Sequence, residues 1–106
     1  MARCLLVQPN GTFRWVVWPQ REASERMGGP LTFVGGSYEL IFVARRDEIG
    51  PTHCWYREGG PLDEAAYGAV LVVASDEHGS EIDVTDELLP EKLREQLLVD
   101  DSPGPA

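Results

Sequence analysis

Apolar positions in this chain fall into short runs divided by Gly, Pro, Asn and Asp, a spacing that predicts strands and turns before long helices. Residues 3–8 and 12–18 are rich in β-branched and aromatic side chains and flank Asn10-Gly11, a dipeptide suited to the two positive φ angles of a type I′ turn. Pairing about that turn sets Cys4, Leu6 and Gln8 on one face with Phe13, Trp15 and Val17. Arg3, Leu5 and Val7 then share the other with Arg14, Val16 and Trp18. Both faces are largely apolar, so the hairpin is expected within a sheet that is covered on both sides. Pro9 lacks the N–H that a residue beside a two-residue turn donates, which leaves room for a slightly longer loop.

Residues 19–27 predict a short helix: Pro19 lies near its first turn, Gly28 beyond its end, and Glu22 with Arg26 and Arg21 with Glu25 are spaced i,i+4. Its inward candidates are Ala23 and Met27. Residues 37–45 alternate as a strand, with Tyr38, Leu40, Phe42 and Ala44 on one face. Residues 53–57 predict a shorter strand, and 68–75 form a continuous apolar run whose β-branching favours a buried one. Residues 76–79 predict a turn, and 81–84 its hairpin partner. Thr85 can cap a closing helix over which Leu89, Leu93 and Leu97 form one apolar ridge, with Pro90 in or before its first turn. The expected fold class is α+β: a mostly antiparallel sheet of about five strands, the C-terminal helix on one face, and the 19–27 helix at an edge or on the same side. Residues 1–99 would form one domain, with 100–106 a flexible acidic tail.

Composition narrows the classes of function. With 106 residues and 42% hydrophobic content, one soluble core is expected. No apolar run approaches the ~20 residues of a membrane helix, and Pro9-Asn10-Gly11 interrupts the N-terminus where a secretory core would lie, which points to the cytoplasm. Charge is lopsided. Residues 1–57 carry a net +2 and residues 58–106 a net −11, which returns the chain's −9. Such an acidic half repels nucleic-acid backbones and anionic membranes, so direct binding to either is not expected. A basic protein surface is the complementary partner. Its candidate contacts are Asp76, Glu77, Glu81, Asp83, Asp86 and Glu87, with Trp55, Tyr56 and Arg57 as an aromatic and arginine rim.

Gly-Gly-Pro-Leu occurs at residues 28–31 and again at 59–62, but neither copy supplies the Lys or the following helix of a phosphate loop. Both read as punctuation that turns the chain toward a strand. The candidates for catalysis are equally spare. His53 and Cys54 are adjacent, and on a strand they would point to opposite faces and could not form a base–nucleophile pair. Cys4, His53, Cys54 and His78 show no zinc-knuckle spacing, and the carboxylates after Asp76 lack the calcium-loop register, so no metal or other cofactor is expected. A small ligand-binding domain or enzyme would need a pocket joining His53 or His78 to a carboxylate, and a homodimeric structural module would use an edge strand.

Taken in order, CLLVQPNGTFRWV, VGGSYELIFV and EGGPLDEAAYGAVLVVASDEHGSEIDVTDEL resemble an uncharacterised family of small domains carried mainly by bacteriophages, plasmids and other mobile elements. The likeness runs from about Cys4 to Leu98. It departs before the paired alanines Ala65 and Ala66, where that family tends to carry Asn and this chain has Leu62, Asp63 and Glu64. The resemblance brings no activity with it. It implies an accessory protein acting in bacterial cytoplasm, and together with the charge it leads to an expected role: a non-enzymatic binder of a host or defence-system protein, its acidic surface mimicking a nucleic-acid backbone.

Overall fold

The computed structural model describes residues 2–36, 39–56 and 60–89, with Asp86 as backbone only. Six strands form one sheet: β1 (Ala2–Val7), β2 (Phe13–Trp18), β3 (Leu31–Gly36), β4 (Leu40–Arg45), β5 (Val70–Ser75) and β6 (Glu81–Ile82). The path is β2-β1-β5-β4-β3 with every neighbour antiparallel, and β6 pairs with the end of β5. Among the described residues the one α-helix, α1 (Ala23–Met27), follows a 3-10 turn at Gln20–Glu22. Among the described residues no helix is long and apolar enough to cross a membrane.

The hairpin forms, but one residue out of the predicted register. Gln8 N–H donates to Thr12 O and Gly11 N–H to Gln8 O, so the loop holds Pro9, Asn10 and Gly11. The physical cause is Pro9, which cannot donate at the ladder position but suits the second place of a type I turn. Only Gly11 takes a positive φ, 92°, and Asn10 instead accepts from the Thr12 amide and hydroxyl at 3.1 and 2.8 Å. Leu5 therefore faces Trp15 and Val7 faces Phe13, while Cys4 faces Val16, the reverse of the predicted face sharing. Within the hairpin only β1 is interior; β2 is an edge of the sheet.

β5 is buried along almost its whole length, as its apolar run predicts. β4 keeps the predicted alternation, with Leu40, Phe42 and Ala44 buried. β3 is a strand that the hydrophobic pattern did not predict, and it is irregular: its register with β4 shifts between Phe33 and Gly35. Gly35 lies against segment 61–64, where Leu62 makes a bridge to it and Asp63 N–H donates to Val34 O at 2.7 Å. A Cβ at Gly35 would stand 2.5 Å from Pro61 O. Both Gly-Gly-Pro-Leu copies thus end on a Leu engaged in β bonding, Leu31 opening β3 and Leu62 capping its outer edge.

Two apolar layers flank the sheet. One is built from Leu5, Val7, Phe42, Val70 and Val72 and is closed by Trp55, Leu62, Val84 and Leu89; the other, from Cys4, Leu6, Leu71 and Val73, is crossed by Ala23 and Met27. The short helix and Leu89 therefore pack on opposite faces, not on one side. Glu22 and Arg26 close the predicted i,i+4 pair at 3.2 Å, and Gly28 ends α1 in the left-handed region. At the other end of the chain, Asp86–Leu88 is a single 3-10 turn that delivers Leu89 into the core. The predicted closing helix beyond it, with Leu93 and Leu97, lies outside the described residues, as does the tail.

Candidate functional site

Of the predicted acidic group, Asp76, Glu77, Glu81 and Asp83 lie at the end of the sheet where β5 turns into β6. Asp76 is a local organiser there: its Oδ1 accepts from His78 N–H and Ser80 N–H, both at 2.9 Å, and Gly79 completes the turn at φ 83°. Such a side chain replaces missing backbone partners and holds its neighbours outward. Glu77 and His78 project into solvent, 3.5 Å apart. Past the turn, Ser75 pairs with Glu81 and Ala74 with Ile82.

From β6 the chain wedges between diverging strands. β1 accompanies β5 only through Leu5, Leu6 and Val7, and beyond Val72 the gap is filled by residues 81–84. Val84 N–H donates to Arg3 O at 2.8 Å, and Arg3 N–H donates to Asp83 Oδ1 at 2.7 Å. Glu81 Oε2 accepts from Gln20 N–H at 3.1 Å. Glu39, whose carbonyl accepts from Ser75 N–H, adds an exposed carboxylate that the sequence reading had not grouped with this end. Glu87 is exposed, and the Asp86 side chain lies outside the described residues.

Two arginines of the first half are engaged elsewhere, and a third lies beside this end without pairing with a carboxylate through its side chain. Arg26 pairs with Glu22, and Arg45 binds Asp47 through two bonds and Glu48 at 2.9 Å within its own loop. Arg45 thereby holds the Asp47 carboxyl below its ordinary range. Arg3 lays its guanidinium 4.0 Å over the Trp15 ring and donates to Val84 O. Among the described residues, no Lys or Arg side chain makes an ion pair with Asp76, Glu77, Glu81, Asp83 or Glu87. The field of this end reaches inward. Burial chiefly pushes the Cys4 thiol up; a bond to Trp18 O works against that, and Glu81 and Asp83 add to it.

The aromatic rim does not come together with the acids. Of the strand expected over 53–57, the described residues 53–56 are not a strand; Tyr56 N–H donates to His53 O in a turn, and His53 N–H donates to Ala66 O. Trp55 is sealed in the core at 1% exposure, edge-on to Phe42, and so cannot touch a partner. Tyr56 is 46% exposed, and Arg57 lies outside the described residues. Tyr56 follows His53 beside the start of β5, whereas the acidic turn follows its end, so six residues of strand, ~20 Å, separate them.

The same turn corrects the reading of His53 and Cys54. Cys54 Sγ is 3.9 Å from His53 Nδ1, a contact that strand geometry would forbid. His53 is nonetheless a structural imidazole. Its Nε2–H donates to Val7 O at 3.4 Å, and Nδ1 accepts from Trp55 N–H at 3.2 Å, which defines the neutral tautomer. Burial pushes its pKa down to about 4, against a smaller opposing effect of the Val7 bond. Such a weak base does not generate a thiolate near neutral pH. His78 lies at the far end of β5 and meets the Glu77 carboxylate at 3.5 Å in open solvent, not in a pocket, while His53 bonds backbone groups. Among the described residues no group of three or more His, Cys, Asp or Glu is placed to hold a metal. No family model matches the chain, and no curated protein or solved structure does either.

Proposed function

We propose that the β5–β6 end of the sheet is a recognition surface for a basic protein, with the carboxylates of Glu39, Glu77, Glu81, Asp83 and Glu87 standing in for the phosphates of a nucleic-acid backbone. The observation that carries this reading is that, among the described residues, no arginine or lysine side chain makes an ion pair with these carboxylates, while Arg26 and Arg45 are engaged in their own loops. A charge cluster without ion pairs to Lys or Arg among the described residues, on a framework tied down by backbone bonds at Gln20 and Arg3, offers fixed acceptors at little ordering cost. In the setting that the family resemblance implies, the partner is a nucleic-acid-binding protein of a bacterial host or its defences, met in the cytoplasm. Binding, not catalysis, is the role.

The test is affinity capture from bacterial lysate at two salt concentrations, with the wild-type chain beside a Glu39→Lys, Glu77→Lys, Glu87→Lys variant. These three side chains are exposed and carry none of the framework bonds named above. Raising salt from about 0.1 M to about 1 M shortens the screening length from ~10 to ~3 Å and should release the partner. The variant should bind about tenfold more weakly, from roughly 0.5 kcal/mol at each position. A partner held equally at both salts, or equally by the variant, removes the basis for the reading.

A further inference from the structure

The two edges of the sheet are treated differently. On β3 the outer edge is bent by the register shift at Phe33 and Gly35 and covered by Leu62 and Asp63. Among the described residues β2 has neither protection. It runs straight through Phe13–Trp18 without proline or bulge, holds one charged residue, Arg14, and no described strand pairs with its outer side. Natural sheets blunt such edges with charges, proline or bulges, because an unpaired row of N–H and C=O groups is a template for another strand.

The ladder shows which groups are free to pair. Gln8 and Thr12 form a hydrogen-bonded pair across the hairpin, so along the observed register Arg14, Val16 and Trp18 direct their backbone groups toward β1. Phe13, Trp15 and Val17 direct theirs outward. These same three residues share one face, Val17 is 55% exposed, and Phe13 packs edge-on to Trp15 at 6.4 Å.

We propose that β2 pairs antiparallel with β2 of a second copy about a two-fold axis at Trp15, joining two sheets into one. In this register Trp15 exchanges both bonds with Trp15 of the copy, and Phe13 does so with Val17, so all the outward groups of the strand are satisfied. Arg14 falls opposite Val16, not opposite the second Arg14. Charge also favours this direction. Glu81 is held at Gln20, beyond the Trp18 end of β2, so antiparallel pairing sends the two acidic ends to opposite sides of the axis, each toward the partner's Arg14 end. Three residues on either side of the axis separate those ends by at least ~20 Å, beyond the ~8 Å screening length at physiological salt. The acidic surfaces stay open, so the dimer does not depend on the function proposed above.

Size exclusion with light scattering on the full chain tests this, and the expected mass is twice the 11.7 kDa of one chain. Val17→Pro removes an outward N–H without touching the β1 ladder, and Val17→Lys places charge on the same edge; both should give the single-chain mass with an unchanged circular dichroism spectrum. Independently of any variant, amide exchange in the wild-type protein should slow with concentration at Phe13, Trp15 and Val17. A wild-type chain that stays monomeric up to about 1 mM overturns the proposal. So does a folded Val17→Pro or Val17→Lys variant that remains dimeric, or exchange at those three amides that is fast at every concentration.

Discussion

His53 shows how one buried side chain makes stability depend on pH. Both ring nitrogens are committed to backbone groups, and burial holds the folded-state pKa near 4 against an ordinary 6.5. Because the folded value is depressed, the unfolded chain takes up the proton first as pH falls. The stabilisation is therefore complete above about pH 6.5 and is lost progressively toward pH 4. The shift corresponds to about 3 kcal/mol at most. Urea unfolding of wild type and His53→Gln across that window should show the wild type losing more stability; Gln can donate to Val7 O but has no proton to gain, and the carboxylates are common to both. Parallel pH profiles would show that His53 is not held neutral by the fold. In the sequence His53 stood out only as a candidate for chemistry, beside Cys54, in a metal set or in a pocket, and not as a core residue. Its burial comes from a loop fold, with His53 N–H bonded to Ala66 O, that no local pattern announces.

At the scale of elements, what could be read from the chain was whatever depends on local periodicity. β4 and β5 were legible because alternation and a β-branched run are properties of the strands themselves. The end of α1 was legible from Gly28, whereas the helix expected over 19–27 divides into a 3-10 turn at Gln20–Glu22 and α1 proper. Register in the first hairpin was not, because it turned on one missing N–H: Pro9 outweighed the pull of Asn10-Gly11 and moved every side chain to the other face. β3 escaped notice because its last residues are the pair Gly35-Gly36, which weakens a strand signal while permitting the close approach of residues 61–64. That approach makes a sharp prediction. Gly35→Ala puts a methyl group 2.5 Å from the Pro61 carbonyl oxygen, against backbone atoms of residues 61–63 with no flexible end to move, and should cost about 1–3 kcal/mol in urea unfolding. A stability loss below ~0.5 kcal/mol would mean that segment 61–64 is not packed on β3.

For the molecule as a whole, the acidic site was legible as a charge imbalance, whereas its setting was not, since only the topology brings Glu39 beside the β5–β6 turn and carries Trp55 away from it. The segment that bears Glu81, Asp83 and Glu87 is also the one that closes a core layer, through Val84 at 0% and Leu89 at 3% exposure. The proposed recognition surface and the fold thus share residues 81–89: Glu81, Asp83 and Glu87 lie on a segment whose apolar residues Val84 and Leu89 are buried. Leu89→Ala should therefore cost 2 kcal/mol or more, in the range of about 2–5 kcal/mol for a buried leucine, by lost burial and the cavity left behind. Ile49→Ser, at a position 92% exposed, should cost less than ~0.5 kcal/mol. Urea midpoints at constant slope make the comparison, and amide exchange at Val84, whose N–H is bonded to Arg3 O, reports whether the segment opens on its own. If Leu89→Ala costs no more than Ile49→Ser, residues 81–89 are not part of the cooperative core, and the acidic end loses the rigidity that its proposed role requires.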